Sequence, residues 1–203
     1  MHNKAIMTWL ILLAALLMIS ACSDKTPINQ FSAEMVVSDT SQSTSNKFYL
    51  RDSSYRMEQD QNNEIIAVIV DEAACLTRVL VPSEKKYLEI PCQNPVSLMN
   101  DPFQSAKYAM KVADSRLTGT ENIDGYDCDI FVISREGQEM MTQWISPKLK
   151  FPIKIALIGP NALKVELKNI KEGGVDGELF KIPSDYTKME NPASQQPPLP
   201  SGP

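Results

Sequence analysis

The chain has 203 residues, a formal net charge of −5 and four cysteines, and its one histidine is His2. An acidic chain without a basic cluster excludes a nucleic-acid partner and electrostatic attachment to anionic lipid. With His2 in a segment expected to be removed, Ser-His-Asp and Cys-His catalysis, a histidine general base and nearly all the usual zinc sites are excluded as well.

Residues 1–21 have the layout of a secretory signal peptide, with Lys4 followed by an apolar run from Ala5 to Ile19 relieved only by Thr8. Ile19-Ser20-Ala21-Cys22 resembles the bacterial lipoprotein box, in which a peptidase cuts before the cysteine once its sulfur carries diacylglycerol. The resemblance implies that Cys22 is the lipidated N-terminus. A retained membrane anchor needs about 20 apolar residues, and this run is slightly short for one. Secretion without a lipid also fits the small residues at the cut but leaves the position of the cysteine unused, so the lipoprotein reading is preferred to both. Ser23 after the cysteine generally goes with outer-membrane delivery in enterobacteria-like envelopes, so the expected place is the cell envelope, on the outer membrane facing the periplasm. Removing residues 1–21 from 203 leaves 182, enough for one domain with a real core. The cut takes Lys4 and no acid, moving the net charge from −5 to −6.

Residues 22–29 read as a polar tether, and strand signals then begin and scarcely stop up to about residue 190. "FSAEMVV" alternates Phe31, Ala33, Met35 and Val37 against Ser32 and Glu34, while "KFYLRD" and "SYRMEQ" repeat a two-residue period. "EIIAVIVD" is apolar on both faces, which places Ile65 to Val70 in mid-sheet with cover on each side. "CLTRVLVPSEKKYLEIPC" reads as two strands around Pro82-Ser83-Glu84-Lys85. A ladder pairing Val81 with Lys86 sets Cys75 opposite Cys92, where Cα separations of about 4.5–5.5 Å suit a disulfide. Export into an oxidising compartment makes such a bond sustainable. Cys128 is then a buried free thiol, or the true partner of one of the two.

Residues 94–114 interrupt the strands with two helix starts, Asn94-Pro95 and Asp101-Pro102, each an N-cap followed by proline at the first helical position. Gln104 stands three residues after Asp101 in capping-box fashion, and Phe103, Ala106 and Met110 share a helical face. This segment is expected to lie across the concave side of the sheet, as a core plug or a movable lid. Further strands are "YDCDIFVISR", "EMMTQWIS", "PIKIALIG" and "ALKVELKNI", joined by short connections that indicate an antiparallel meander. Asp124, Asp127 and Asp129 lack the spacing of a calcium loop; Asp124-Gly125 reads as a hairpin turn with Asp127 and Asp129 on the wet face. Nothing in the sequence asks for a cofactor or a metal. Residues 191–203, with five prolines, form a tail too poor in apolar residues to build a core.

The lipoprotein box, "KFYLRDSSYRME", "VLVPSEKKYLEIP", "GTENIDGYDCDIF", "QWISPKLKFPIKI" and the ending "LFKIPSDYTKM" together resemble the bacterial lipoprotein-carrier superfamily, the LolA/LolB-like fold. The likeness is strongest to an uncharacterised branch that ends in "LF-x-IP", and it spans about Asn29 to Met189. It implies a mainly β, α+β architecture: a curved antiparallel half-barrel whose concave face is covered by a short helical segment. It also implies binding of acyl chains or another elongated apolar molecule in that half-barrel, without catalysis. Candidate lining residues are Met35, Phe48, Leu98, Met99, Phe103, Met110, Phe131 and Trp144, with methionines suited to irregular ligands. The competing reading is an envelope assembly module with a filled core and no ligand, which docks a partner protein through a sheet edge or its acidic surface. An enzyme comes third, limited by the absence of histidine to carboxylate, lysine or tyrosine chemistry.

Overall fold

The computed structural model describes residues 30–61, 63–91, 101–159 and 162–190, and β1 (Gln30–Ser38) stands where its two halves meet. The first half is β1 with β2 (Ser43–Arg51), β3 (Ser54–Gln61), β4 (Glu64–Asp71), β5 (Leu76–Val81) and β6 (Lys86–Pro91). Helix α1 (Pro102–Val112) follows. The second half is β7 (Asp114–Ile123), β8 (Tyr126–Arg135), β9 (Gln138–Ser146), β10 (Phe151–Leu157) and β11 (Lys164–Glu172), and the two-residue β12 (Thr187–Lys188) comes last. The sheet runs β12-β6-β5-β4-β3-β2-β1-β11-β10-β9-β8-β7, strongly curved and not closed into a barrel. It is thus two antiparallel meanders joined through β1 and β11, the half-barrel with a short helix that the sequence implied.

Two-residue turns set the register at four hairpins, between β2 and β3, β3 and β4, β7 and β8, and β8 and β9. Asp124 and Gly125 take φ of 51° and 85°, Glu136 and Gly137 take 54° and 79°, and these left-handed pairs match the twist of the flanking strands. Ile123 therefore faces Tyr126, and Arg135 faces Gln138. Asp127 is exposed, where Asn122 donates to its carboxylate at 2.8 Å, while Asp129 is half-buried. Around Pro82–Glu84 the ladder pairs Val81 with Lys86 and Leu76 with Pro91, the register read from the sequence. Cys75, expected as the first residue of that strand, instead ends the preceding turn at φ 52°, exposed and disulfide-bonded. Cys92 lies outside the described residues, and Cys128 is free and buried. Burial and the nearby carboxylates of Asp127, Glu121 and Asp129 push the Cys128 thiol up to about 11, which leaves it an inert packing group.

β4 is covered on both faces, as its double apolar run requires. Val68 and Val70 look inward with Tyr55 and Met57, their partners on β3. Ala67 and Ile69 look outward and pack with Leu80, Tyr87, Phe180 and Tyr186. The outer cover is a strap formed by residues 175–189, which sequence reading had not placed. Arg51 Nη1 donates to the carbonyl of Val175 and Arg56 Nη1 to that of Leu179, each at 2.8 Å. β12 then runs parallel to β6, with Thr187 N donating to Lys85 O and Met189 N to Tyr87 O. Arg56→Ala removes a charged donor from a carbonyl and is expected to cost about 1–3 kcal/mol. The measurement is limited tryptic digestion, in which cleavage after Lys181 accelerates well ahead of cleavage elsewhere.

Candidate binding surface

The inner face of the half-barrel is built around five aromatic rings. Phe31 and Phe48 come from β1 and β2, Tyr55 from β3, Phe103 from α1 and Phe151 from β10. Phe48 has ring centroids at 5.7 Å from Phe31, 5.9 Å from Tyr55, 5.1 Å from Phe103 and 5.4 Å from Phe151. Such edge and offset contacts add about 0.5–1.5 kcal/mol per pair beyond the buried area. Met35, Met57, Ile153, Ile155 and Leu167 fill the space between them, all fully buried.

Helix α1 is anchored here by its cap. Asp101, only 3% exposed, accepts from Phe103 N and Gln104 N, both at 3.1 Å, and from the Tyr55 hydroxyl at 2.7 Å. Burial raises the Asp101 carboxyl to about 6 against these donors. Gln104 stands at the capping-box position, but its side chain donates to Thr77 Oγ1 at 3.3 Å across the sheet. Further along, Gln143 of β9, fully buried, donates to the carbonyl of Ala106 at 2.9 Å. Lys107 and Glu72 pair at 2.8 Å over the outer flank of the helix.

Among the residues read as cavity lining, Met35, Phe48 and Phe103 stand inside this closed cluster. Met110 is half-buried near the end of α1. Phe131 is half-buried on the inner face, opposite Leu117 of β7 and Gln143 of β9. Trp144 is half-buried and packs against the core cluster. Its ring faces Lys154, whose Nζ is 4.0 Å from the ring centroid, and its Nε1 donates to Glu121. Leu98 and Met99 lie outside the described residues. Two shallow grooves also lie on the outer face. One of about 420 Å³ crosses Glu34, Lys47, Glu58 and Ile65, and one of about 350 Å³ lies beneath the strap at Leu80, Leu179 and Tyr186.

Among the described residues, the surface left open is β7, the last strand of the sheet. Asp114 to Asn122 are exposed without interruption, and only Ile123 is buried. Its described partner is β8 alone, so along its other side the backbone donors and acceptors face outward. Leu117 is 57% exposed and Val112, at the end of α1, 58%. Leu117 stands opposite Phe131 in the β7–β8 ladder, an apolar pair beside the edge. The strand was missed in the sequence because "DSRLTGTEN" has no clean alternation. The Asp124-Gly125 turn was the available signal, since a two-residue hairpin implies a partner strand of matching length before it.

The family model described as "Domain of unknown function (DUF4412)" matches residues 32–150. No curated protein matches the chain. Among solved structures, an uncharacterized conserved protein from Thermus thermophilus is similar in fold, at 12% identity over 79% of this chain and 90% of that one, with a TM-score of 0.53. PNGF-II is similar at 11% identity and a TM-score of 0.50, over 81% of this chain but only 31% of the other, so the chain spans under a third of that protein. Structural neighbours also include a LolA superfamily protein from Nitrosomonas europaea, at 9% identity over 77% of this chain and 91% of that one, with a TM-score of 0.38.

Proposed function

The chain belongs to the DUF4412 family, and with that as the premise we propose that it is a noncatalytic envelope lipoprotein that docks a partner protein on the open β7 edge of its half-barrel. The observation that carries this reading is the contrast between the inner face and the β7 edge among the described residues. Phe31, Phe48, Tyr55, Phe103 and Phe151 are buried together where a carrier would keep space for a ligand, while the β7 edge has β8 as its one described partner. An added strand gains main-chain hydrogen bonds from β7, and its inward residues meet Leu117 and Phe131. Noncatalytic action is supported by the absence of histidine from residues 22–203.

Residues 1–21 are the signal peptide, residues 22–29 the tether, residues 30–190 the half-barrel domain and residues 191–203 the proline-rich tail. Cys22 carries the lipid and holds the protein on the outer membrane facing the periplasm, each buried methylene contributing about 0.8 kcal/mol. Cys75, which is disulfide-bonded, pairs with Cys92, a reading supported by the free Cys128 and by the neighbouring Leu76–Pro91 pair. A second reading keeps an apolar ligand, an acyl chain lying against Met110, Leu117 and Phe131, and it is favoured by their incomplete burial.

Photocrosslinking in cells, from probes at Ser115 or Thr120 on β7, separates the two. A discrete protein adduct from β7, lost in Leu117→Asp and absent from a probe at Lys164, is the expected result. Stoichiometric lipid on the purified protein by native mass spectrometry, with no adduct from β7, would move the assignment to the acyl-chain reading.

A further inference from the structure

We infer that the end of the sheet carrying Gln30 is a membrane-facing surface, so that the domain stands with its strands directed away from the bilayer and its β7 edge accessible along its length. The inference rests on the proposed lipid at Cys22. Eight residue steps separate Cys22 from Gln30, and even fully extended they reach at most ~26–29 Å. β1 spans Gln30–Ser38, and nine residues at strand rise measure about 30 Å. Standing the domain on its opposite end would therefore consume the entire tether merely to run up the height of the sheet, with nothing left for the turn beyond Ser38.

Antiparallel pairing decides which turns share the end with Gln30. They are Asp52-Ser53 between β2 and β3, residues 72–75 between β4 and β5, Asp124-Gly125 between β7 and β8, and residues 147–150 between β9 and β10. The tether's exit is fixed to this end: Gly173 N donates to Gln30 O at 2.8 Å. Glu172 beside it accepts from Tyr126 at 2.8 Å and from Lys148, tying three turns into one rigid surface. Asn169 N donates to Asp124 at 3.1 Å and adds a fourth tie. Charges of both signs alternate here, Lys148 and Lys150 against Asp52, Glu72 and Asp124, so the surface has no polybasic attraction to lipid. It fits the headgroup layer of a bilayer because the anchor holds it there. The opposite turns, with Ser41 and Ser83, lie a full strand length further out.

The test uses the full lipidated protein in vesicles of phosphatidylethanolamine and phosphatidylglycerol carrying a headgroup quencher. A fluorophore is placed by a bioorthogonal amino acid at Ser53 or Ala73 on one end and at Ser41 or Ser83 on the other. Labels at Ser53 and Ala73 are expected to be quenched several-fold more than those at Ser41 and Ser83. A glycine-serine insertion after Lys25, long enough to double the reach, is expected to erase the difference. Equal or reversed quenching with the native tether, in protein whose N-terminal peptide carries diacylglycerol by mass, overturns the orientation alone. An N-terminal peptide without lipid overturns the anchor and the orientation together.

Discussion

Replacing Phe48 with alanine is expected to lower stability by ~3–5 kcal/mol, the upper range for a large side chain removed from a closed core. The side chain is 0% exposed and its ring touches four others, supplied by β1, β3, α1 and β10. Those elements come from both meanders and the helix, so no single shift can refill the hole. The readout is the urea midpoint at unchanged slope. Phe48→Leu keeps most of the volume and is expected to cost roughly a third as much. The same substitution decides between a filled and a hollow half-barrel. If Phe48 lined a ligand cavity, alanine would enlarge an existing void, stability would fall by under about 1 kcal/mol, and the change would appear in ligand uptake instead.

Much of this arrangement was legible in the sequence because local rules and global burial agree there. Leu163, Val165 and Leu167 alternate with Lys164, Glu166 and Lys168, and Val165 and Leu167 are buried as the alternation requires. Asp101-Pro102 announces a helix, and α1 begins there. The half-barrel itself was carried by the family resemblance, since alternation alone cannot say how a sheet curves. What was illegible depended on partners far apart in the chain. Gln104 satisfies the capping-box pattern, yet its side-chain amide reaches across the sheet to donate to Thr77. Trp144 reads as lining or filling the inner face, and it packs half-buried against the core, but its polar partners Lys154 and Glu121 follow no period in the sequence. The strap was hidden because Leu179, Phe180 and Tyr186 follow no period; Arg51 and Arg56 hold it through backbone carbonyls, which no sequence pattern reports.

The two sheet edges are treated unequally, and this asymmetry links the fold to the proposed function. At β6 the strap brings β12 alongside, and the salt bridge of Lys85 with Asp185 at 3.0 Å fastens its start. A two-residue parallel strand adds few hydrogen bonds but covers the edge, a known defence against unwanted pairing. At β7 the chain spends ten residues on a strand that buries one of them. A bulge between Leu117 and Gly119 and the charges of Arg116 and Glu121 limit indiscriminate association without closing the edge. Selective docking needs that combination, because an unguarded edge aggregates and a covered one binds nothing.

Asp101 is expected to make stability fall as pH rises, the reverse of the usual carboxylate behaviour. Burial is the largest influence and raises its carboxyl from an ordinary 3.8 to about 6, with Glu72 adding to the rise and Tyr55, Gln104 and Phe103 donors opposing it. Between those two values the folded state binds more protons than the unfolded state, so the unfolding free energy decreases with increasing pH. The contribution is complete below about 3.8 and lost by the time pH has risen through about 6, a change on the order of 2–3 kcal/mol. Glu34, Glu89, Glu172 and Asp185, all held low by donors, pull in the opposite direction as pH falls. The diagnostic quantity is therefore the difference between wild type and Asp101→Asn at each pH. Asparagine keeps an acceptor for Phe103 N and Gln104 N but cannot ionise, so the variant should gain on wild type between pH 4 and 7. Asp101→Ala removes the cap and orphans the buried Tyr55 hydroxyl, and should cost ~2–4 kcal/mol at every pH. A constant difference between wild type and Asp101→Asn across pH 4–7 would show that Asp101 does not titrate in that window. The helix would then be held at neutral pH by an ionised cap that costs the fold nothing.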